Sequence, residues 1–233
     1  MSALRLSHVL HRVTDLPSAV ADAESAGFTV HWGSDPAHAH NALVWFETGP
    51  FLELYVAPPF DESTASVVEQ VAGPGAVLRS RKWGSMADGW CDYAVETDDA
   101  DLSAVSAHCR DAGIALGPSF YPNRTLPGGD SVSWHLAFPD DADLPFVMSA
   151  YSTPQRPATV AHANGATAIT SITLAHPDPA RFSEQLTRYV GTPALADVIV
   201  EQGPDPGATI TSVSAAGLDA PAQFGSSVLR PAP

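Results

Sequence analysis

Residues 6–30 read LSHVLHRVTDLPSAVADAESAGFTV, and this stretch decides the fold. An apolar run of strand length leads into Asp15, and a segment of helical length follows in which Leu16 and Val20 fall on one face. Gly27 comes next, where a helix ends most easily on a left-handed residue, and a new apolar run begins after it. The pattern predicts a strand, a helix capped by Asp15, and a second strand.

The same order of features recurs twice along the chain. Residues 90–116 read WCDYAVETDDADLSAVSAHCRDAGIAL, and residues 168–195 read AITSITLAHPDPARFSEQLTRYVGTPAL. The residues expected to start and end these two helices occupy matching places: Asp98 or Asp99 with Gly113, and Asp178 with Gly191. An internal repeat of roughly 80 residues follows from these coincidences.

Further strand-like runs complete each copy. They are FTVHWG, NALVWFET and FLELYVAP in the first copy, SVSWHLAF and LPFVMSAY in the second, and DVIVEQG and ATITSVSAAG in the third, which then fades into a Pro/Ala/Gly-rich tail. The repeating unit is therefore strand–helix–strand–strand–strand, which predicts an α+β fold. We divide the chain into a first module (1–59), a connector (60–89), a second module (90–151) and a partial third module packed on the same unit (166–233).

Composition narrows the classes of partner. The 233 residues carry a formal net charge of −15, which opposes binding to nucleic acid. The apolar stretches are too short to cross a bilayer, and the first residues lack a signal pattern. Two cysteines are too few for a disulfide framework. We expect a cytoplasmic protein with a small-molecule ligand, and a homodimer remains open.

Glu53 is the unusual residue of the run FLELYV at 51–56. Its neighbours favour a buried strand, in which an ionised carboxylate is costly unless another group pairs with it. Glu53 is therefore expected to face a polar pocket.

These residues resemble the vicinal oxygen chelate superfamily, which includes glyoxalase I, extradiol dioxygenases and bleomycin-binding proteins, and more narrowly its glyoxalase-like members. The resemblance rests on the opening SHV…RVTDL and on the segments HNALVWF…FLELYVAP, NRTLPGGDSVSWHLAFP and LPFVMSAY. It covers most of residues 4–151, and residues 166–225 resemble a further partial module. It implies modules whose sheets curl around one cavity, with metal ligands on the first and last strands of each.

The resemblance implies that His8 and Glu53 are metal ligands of the first module. An imidazole and a carboxylate suit a divalent Fe, Mn, Ni, Co or Zn ion. The second module departs from the pattern. An alignment without gaps places Trp90 opposite His8, and a one-residue shift would place Cys91 or Asp92 there, while Ser149 stands opposite Glu53. A functional metal site then needs a third ligand, for which His40 is the first candidate.

His135 is a weaker candidate for the third ligand. Trp134 and His135 are neighbours in a strand and must point to opposite faces, and we expect Trp134 to face the cavity.

Other residues have the chemistry to bind or process a ligand. Tyr55 shares a strand face with Glu53 and could act as an acid. Arg124, in a loop rich in Gly and Pro, could hold an anionic oxygen of the substrate, and Asn41 could orient it. The remaining substrate-binding candidates suit a flat or largely apolar ligand: Trp45, Trp83, Trp90, Trp134 and Ser149.

Three functions remain open at this stage. The first is a metal-dependent lyase, isomerase or oxygenase acting on a small organic substrate, aromatic ones included, through His8 and Glu53, with Tyr55 as a further catalytic candidate. The second is a metal-free enzyme that uses the same pair for acid–base chemistry. The third is a non-catalytic protein that binds an aromatic or drug-like molecule.

Overall fold

The computed structural model describes residues 3–191, 195, 197–204 and 207–232. Its helices are α1 (Leu16–Ser25), α2 (Glu62–Ala72), α3 (Pro74–Ser85), α4 (Ser103–Asp111) and α5 (Pro179–Val190). Its first nine strands are β1 (Arg5–Arg12), β2 (His31–Trp32), β3 (Asn41–Val44), β4 (Phe51–Tyr55), β5 (Gly89–Glu96), β6 (Asn123–Thr125), β7 (Ser131–Ser133), β8 (Leu136–Ala137) and β9 (Phe146–Met148). The later strands are β10 (Ala168–His176), β11 (Val198–Gln202), β12 (Thr209–Ala216), β13 (Ala222–Phe224) and β14 (Ser227–Pro231). None of the helices in these ranges is long and apolar enough to cross a membrane.

The predicted α+β class is confirmed, and the first copy of the repeat has the predicted order. Strand β1 is followed by helix α1 and then by β2, β3 and β4. Asp15 caps α1, since its side chain accepts a hydrogen bond from the backbone N–H of Ser18 at 3.1 Å. Asp178 caps α5 in the same way through the N–H of Arg181. Local hydrogen bonds of this kind are fixed by a few adjacent residues, so the sequence could predict them.

The cap predicted for the second copy is wrong. Helix α4 starts at Ser103, with Leu102 rather than Asp98 or Asp99 at the N-cap position. The carboxylate of Asp101 instead accepts the N–H of Ser103 at 2.8 Å. Several acidic residues precede this helix, and each could satisfy its first N–H groups, so the sequence pattern did not single one out.

A seven-stranded sheet with the order β2-β3-β4-β1-β5-β9-β8 forms the centre of the molecule. Strand β1 pairs in parallel with β4, which brings Glu53 beside Leu10, and it pairs antiparallel with β5. Successive residues of β1 alternate between its two faces. Val9 joins the main hydrophobic core, whereas His8 and Leu10 line a cavity on the opposite face.

Residues 60–89, expected as a connector, form the two helices α2 and α3. Asp61 and Thr64 form a capping box at the start of α2. Helix α3 packs Trp83 into the hydrophobic cluster that also contains Leu10 and Phe146. This segment is therefore part of the wall of the central cavity.

The C-terminal region forms a five-stranded sheet with the order β11-β10-β12-β14-β13. Strand β10 pairs in parallel with β11 and antiparallel with β12, as β1 does with β4 and β5. Strands β13 and β14 form an antiparallel pair in the segment expected as a tail. Phe224 and Leu229 anchor this pair, being 1% and 0% exposed. These two strands were not predicted, because abundant Pro, Ala and Gly residues interrupt their short apolar runs.

The two larger sheets share one hydrophobic core. Phe224 of β13 stacks on Trp90 of β5, with ring centroids 5.9 Å apart. Its ring also meets those of Phe28 and His11 edge to face. The main core therefore lies between the sheets, and the cavity lies on the far side of the central sheet.

Candidate active site

A cavity of about 320 Å³ opens on the face of the central sheet that carries His8 and Glu53. Strands β1, β3, β4, β8 and β9 supply its floor, helix α3 supplies Trp83, and the β6–β7 hairpin supplies Arg124. Its polar lining residues are His8, His40, Asn41, Glu53, Asn123 and Arg124. The rest of its lining is apolar or aromatic: Leu10, Tyr55, Trp83, Pro122, Trp134, Leu136, Phe138, Phe146, Met148 and Tyr151.

His8 is placed by a β-bulge. The pairing of β1 with β5 shifts between Leu6 and His8, so Ser7 is the extra residue. A bulge re-aims the side chains next to it. Ser7 Oγ consequently lies 3.0 Å from His8 Nδ1 and donates a hydrogen bond to Glu96 at 2.8 Å. The imidazole, 4% exposed at the residue level, stacks on Phe51.

Glu53 meets two partners inside the cavity. Its Oε2 lies 3.3 Å from His8 Nε2, and its Oε1 accepts a hydrogen bond of 2.8 Å from Asn41 Nδ2. Burial alone would raise the pKa of this carboxyl group. Hydrogen bonds from His8 and Asn41, with the charges of His8 and Arg124, outweigh burial and hold the pKa of Glu53 below its usual value. Glu53 is therefore ionised at neutral pH.

Tyr55 lies two residues farther along β4 and lines the same cavity. Burial, together with the negative charge of Glu53, raises the pKa of this phenol well above its usual value. Its ring packs edge to face against Trp83 at 5.5 Å and against His40 at 6.3 Å. Tyr55 therefore keeps its proton at neutral pH and can donate a hydrogen bond to a ligand.

Arg124 faces the cavity from the β6–β7 hairpin. Its guanidinium carbon lies 5.6 Å from the ring centre of Trp134 and 5.8 Å from that of Tyr151. Sequence reasoning missed Tyr151 and the apolar residues Phe146 and Met148. The alternation of Phe146 and Met148 along LPFVMSAY was the available signal for these two residues, because every second residue of a strand shares one face. Tyr151 follows the end of strand β9 and falls outside this alternation.

The predicted third metal ligand does not join the first two. Among the described residues, no group of three or more His, Cys, Asp or Glu side chains is placed to hold a metal ion. His40 lines the cavity but is exposed and contacts Tyr55. Beside His8 the cavity lining carries Phe146 and Met148, which supply no strong metal ligand. The metal donors that meet at Glu53 are thus one imidazole and one carboxylate.

Several predicted residues lie elsewhere. Trp45 packs on Phe51 with ring centroids 4.2 Å apart and lines a separate groove. Trp90 belongs to the core between the sheets. Ser149 is fully buried, where its hydroxyl donates to the carbonyl of Ala150 and accepts the N–H of His135. The side chain of His135 lies near Ser119 Oγ, outside the cavity lining. Trp134, in contrast, faces the cavity.

Comparison with known protein families identifies the family of this chain. The sequence matches the glyoxalase-like domain family over residues 6–190. The chain belongs to this family. It is thereby a member of the vicinal oxygen chelate superfamily, as the sequence motifs predicted. A search of curated proteins returned no significant match.

Two solved structures share the fold of this glyoxalase-like protein at low sequence identity. A hypothetical protein from Staphylococcus aureus is 13% identical, with a TM-score of 0.74 over 99% of both chains. The Mn(II)-bound glyoxalase from Novosphingobium aromaticivorans is 15% identical, with a TM-score of 0.52 over 93% of this chain and 66% of its own. At these identities the likeness concerns the fold alone.

Proposed function

We propose that this glyoxalase-like protein is an enzyme that moves a proton on a small organic substrate, using Glu53 and His8 as an acid–base pair. The observation that carries the proposal is the buried contact of 3.3 Å between His8 Nε2 and Glu53 Oε2 in the cavity. Two titratable groups in contact in a largely apolar pocket are typical of proton-transfer sites.

The reaction class follows from the states of these groups. Glu53 is ionised, so its carboxylate can accept a proton from a carbon next to a substrate carbonyl. The electron pair of the broken C–H bond moves onto the carbonyl oxygen, where N–H and O–H donors stabilise the negative charge. His8 and Asn41 contact Glu53, and the neutral phenol of Tyr55 lines the same cavity, so these three groups are the candidate donors. Return of the proton to a different carbon completes an isomerisation, and loss of a leaving group completes an elimination.

A divalent metal ion bound by His8 and Glu53 is the second candidate. The separation of 3.3 Å between their donor atoms suits two ligands that each lie about 2.1 Å from one ion. Water or substrate oxygens would have to supply the other ligands, because the described residues place no third His, Cys, Asp or Glu side chain beside this pair. Two protein ligands hold a metal weakly, so this candidate ranks below the acid–base pair.

Hydrogen–deuterium exchange at carbon tests the proposal without knowledge of the final product. Small oxo acids incubated with the enzyme in D₂O should exchange the proton next to the carbonyl faster than the uncatalysed background, as measured by proton NMR. Glu53→Gln should lower the enzymatic rate at least ~100-fold, because the amide cannot accept the proton. Glu47→Gln is the matched control, since Glu47 is an exposed glutamate remote from the cavity lining.

The three functions give different outcomes. Exchange that persists after chelation and dialysis supports the acid–base pair. Exchange that stops with the chelator and returns with a divalent metal supports the second candidate. Exchange by Glu53→Gln at the rate of the unmodified protein contradicts both, and ligand binding without exchange indicates a non-catalytic binding protein.

A further inference from the structure

Arg124 lies where two cavities meet. It lines the inner cavity that contains Glu53, and it also lines an outer groove of about 390 Å³. The walls of this groove are largely apolar and include Trp32, Leu43, Trp45 and Leu126. In strand β3, Asn41 lines the inner cavity and Leu43 lines the groove, so one sheet face continues beneath both.

Among the residues that the structure describes, no acid lies within ion-pair distance of Arg124, although acidic residues outnumber basic ones 26 to 11 in the sequence. Four other arginines form ion pairs with carboxylates: Arg5, Arg12, Arg79 and Arg81. None of the ion pairs within the described ranges involves Arg124. Its Nε is buried and has no hydrogen-bond partner there. A buried donor left without an acceptor is costly, which indicates that an acceptor arrives with a ligand.

Two aromatic rings hold the guanidinium group without using its donors. Trp134 and Tyr151 both lie within 6 Å of its carbon, at 5.6 and 5.8 Å. Contacts with ring faces fix the position of the planar group while its N–H groups stay free for a planar, bidentate acceptor.

We propose that the ligand of this site is an organic carboxylate with two apolar substituents. Its carboxylate pairs with Arg124 at the junction, one substituent enters the inner cavity, and the other lies in the outer groove. The inference rests on the proposed function only for the assignment of the inner substituent as the reacting part.

A monoanion fits better than a phosphate dianion. Arg124 offers one positive charge, and its charge is already felt by the ionised Glu53 in the same cavity. A second negative charge on the ligand would therefore be repelled by Glu53 and left without a partner.

Calorimetric titration with 3-phenylpropanoate and its neutral amide tests the role of Arg124. The acid should bind at least ~10-fold more tightly than the amide, since one charge-assisted bidentate contact distinguishes them. Arg124→Gln should abolish this preference, and Arg124→Lys should retain part of it. Arg110→Gln removes an exposed arginine from α4 and should leave the preference unchanged. Equal affinities of the unmodified protein for acid and amide, or failure of the acid to bind at millimolar concentration, would overturn the inference.

A second pair of probes tests the outer groove. We expect 2-benzyloctanoate, which adds an alkyl arm to the first probe, to bind more tightly than 3-phenylpropanoate. Leu126→Ser should remove that gain and leave the affinity for the smaller acid unchanged. A gain that survives Leu126→Ser places the second arm elsewhere. The corresponding phosphonate distinguishes the two anion classes: tighter binding of the phosphonate than of the carboxylate contradicts the assignment.

The binding preference for acid over amide and the rate of proton exchange test the two proposals independently. Glu53→Gln should lose exchange at carbon yet keep the preference for acid over amide, because Arg124 is intact. If Glu53→Gln retains exchange while Arg124→Gln loses the preference, the proposed function fails and the ligand assignment stands. If all variants discriminate equally, the ligand assignment fails regardless of the exchange result.

Discussion

Glu53, Asp92 and His11 are titratable side chains of the central sheet, and each is accommodated in a different way. Glu53 stays ionised because His8 and Asn41 contact its carboxylate. Asp92 accepts hydrogen bonds from Arg79 and from the indole N–H of Trp83. His11, 0% exposed, lies among aromatic rings and stays neutral. The first arrangement faces a cavity, whereas the other two are enclosed by packed side chains, which is why only Glu53 is a candidate for chemistry.

His11 should make the protein less stable in mild acid. Burial lowers its pKa from 6.5 to about 4, against a smaller opposing effect of the Asp88 charge. Between these two values the unfolded chain binds a proton that the folded chain excludes. The free energy of unfolding should therefore fall by roughly 3 kcal/mol as the pH drops from 6.5 to 4, with no contribution from His11 above 6.5.

His11→Phe keeps an aromatic ring and removes the titration. Urea unfolding at several pH values should show a flatter dependence between pH 6.5 and 4 for this variant than for the unmodified protein. His38→Gln, at an exposed position, should leave the dependence unchanged. An equally steep fall in His11→Phe would assign the acid sensitivity to other groups.

At the scale of elements, helix α3 makes buried contacts that the sequence did not predict. Its segment is rich in Gly, Ser and Ala, which suggested a connector. In the structure Arg79 is 0% exposed, pairs with Asp92 at 2.5 Å, and donates to the carbonyl of Leu144. These partners lie 13 and 65 residues away, so no local pattern could predict the arrangement.

The same distinction applies to the candidate site, where some contacts could be predicted from the sequence and others could not. The proximity of His8 and Glu53 could be predicted, because the resemblance to the vicinal oxygen chelate superfamily implies that they lie on the first and last strands of one module, around a shared cavity. The aromatic contacts of Arg124 could not be predicted, because they depend on the position of the short β6–β7 hairpin over the sheet. The prediction of His40 as a third metal ligand failed for a similar reason. His40 directly precedes strand β3, but its side chain is exposed and contacts Tyr55.

Loss of Arg79 should be strongly destabilising. Arg79→Ala leaves the carboxylate of Asp92 buried without its cation, which costs about 3–5 kcal/mol. Arg81→Ala removes an arginine of the same helix whose partner, Glu62, is exposed, and it should cost less than about 1 kcal/mol. Chemical denaturation measures both. Similar losses in the two variants would show that the Arg79–Asp92 pair does not anchor α3.

At the scale of the whole molecule, the candidate cavity and the main hydrophobic core lie on opposite faces of the central sheet. Strand β1 has the main core on one face, through Val9, and the cavity on the other, through His8 and Leu10. The C-terminal sheet covers the core face and repeats the pairing scheme of the central sheet. A ligand can therefore enter and leave the cavity without disturbing the contact between the sheets.

Phe224 links the two sheets, so its truncation tests whether they unfold together. The side chain is 1% exposed, and its ring contacts Trp90, Phe28 and His11 of the N-terminal half. Phe224→Ala should lower the free energy of unfolding by about 3–5 kcal/mol, because it leaves a cavity at the junction. Leu229→Ala, at a 0% exposed site on β14, is the control for simple loss of core volume. If the shared core makes one cooperative unit, both variants should show a single denaturant transition in which tryptophan fluorescence and far-UV circular dichroism change together. Two separate transitions in the unmodified protein would mean that the sheets are independently stable and that Phe224 does not couple them.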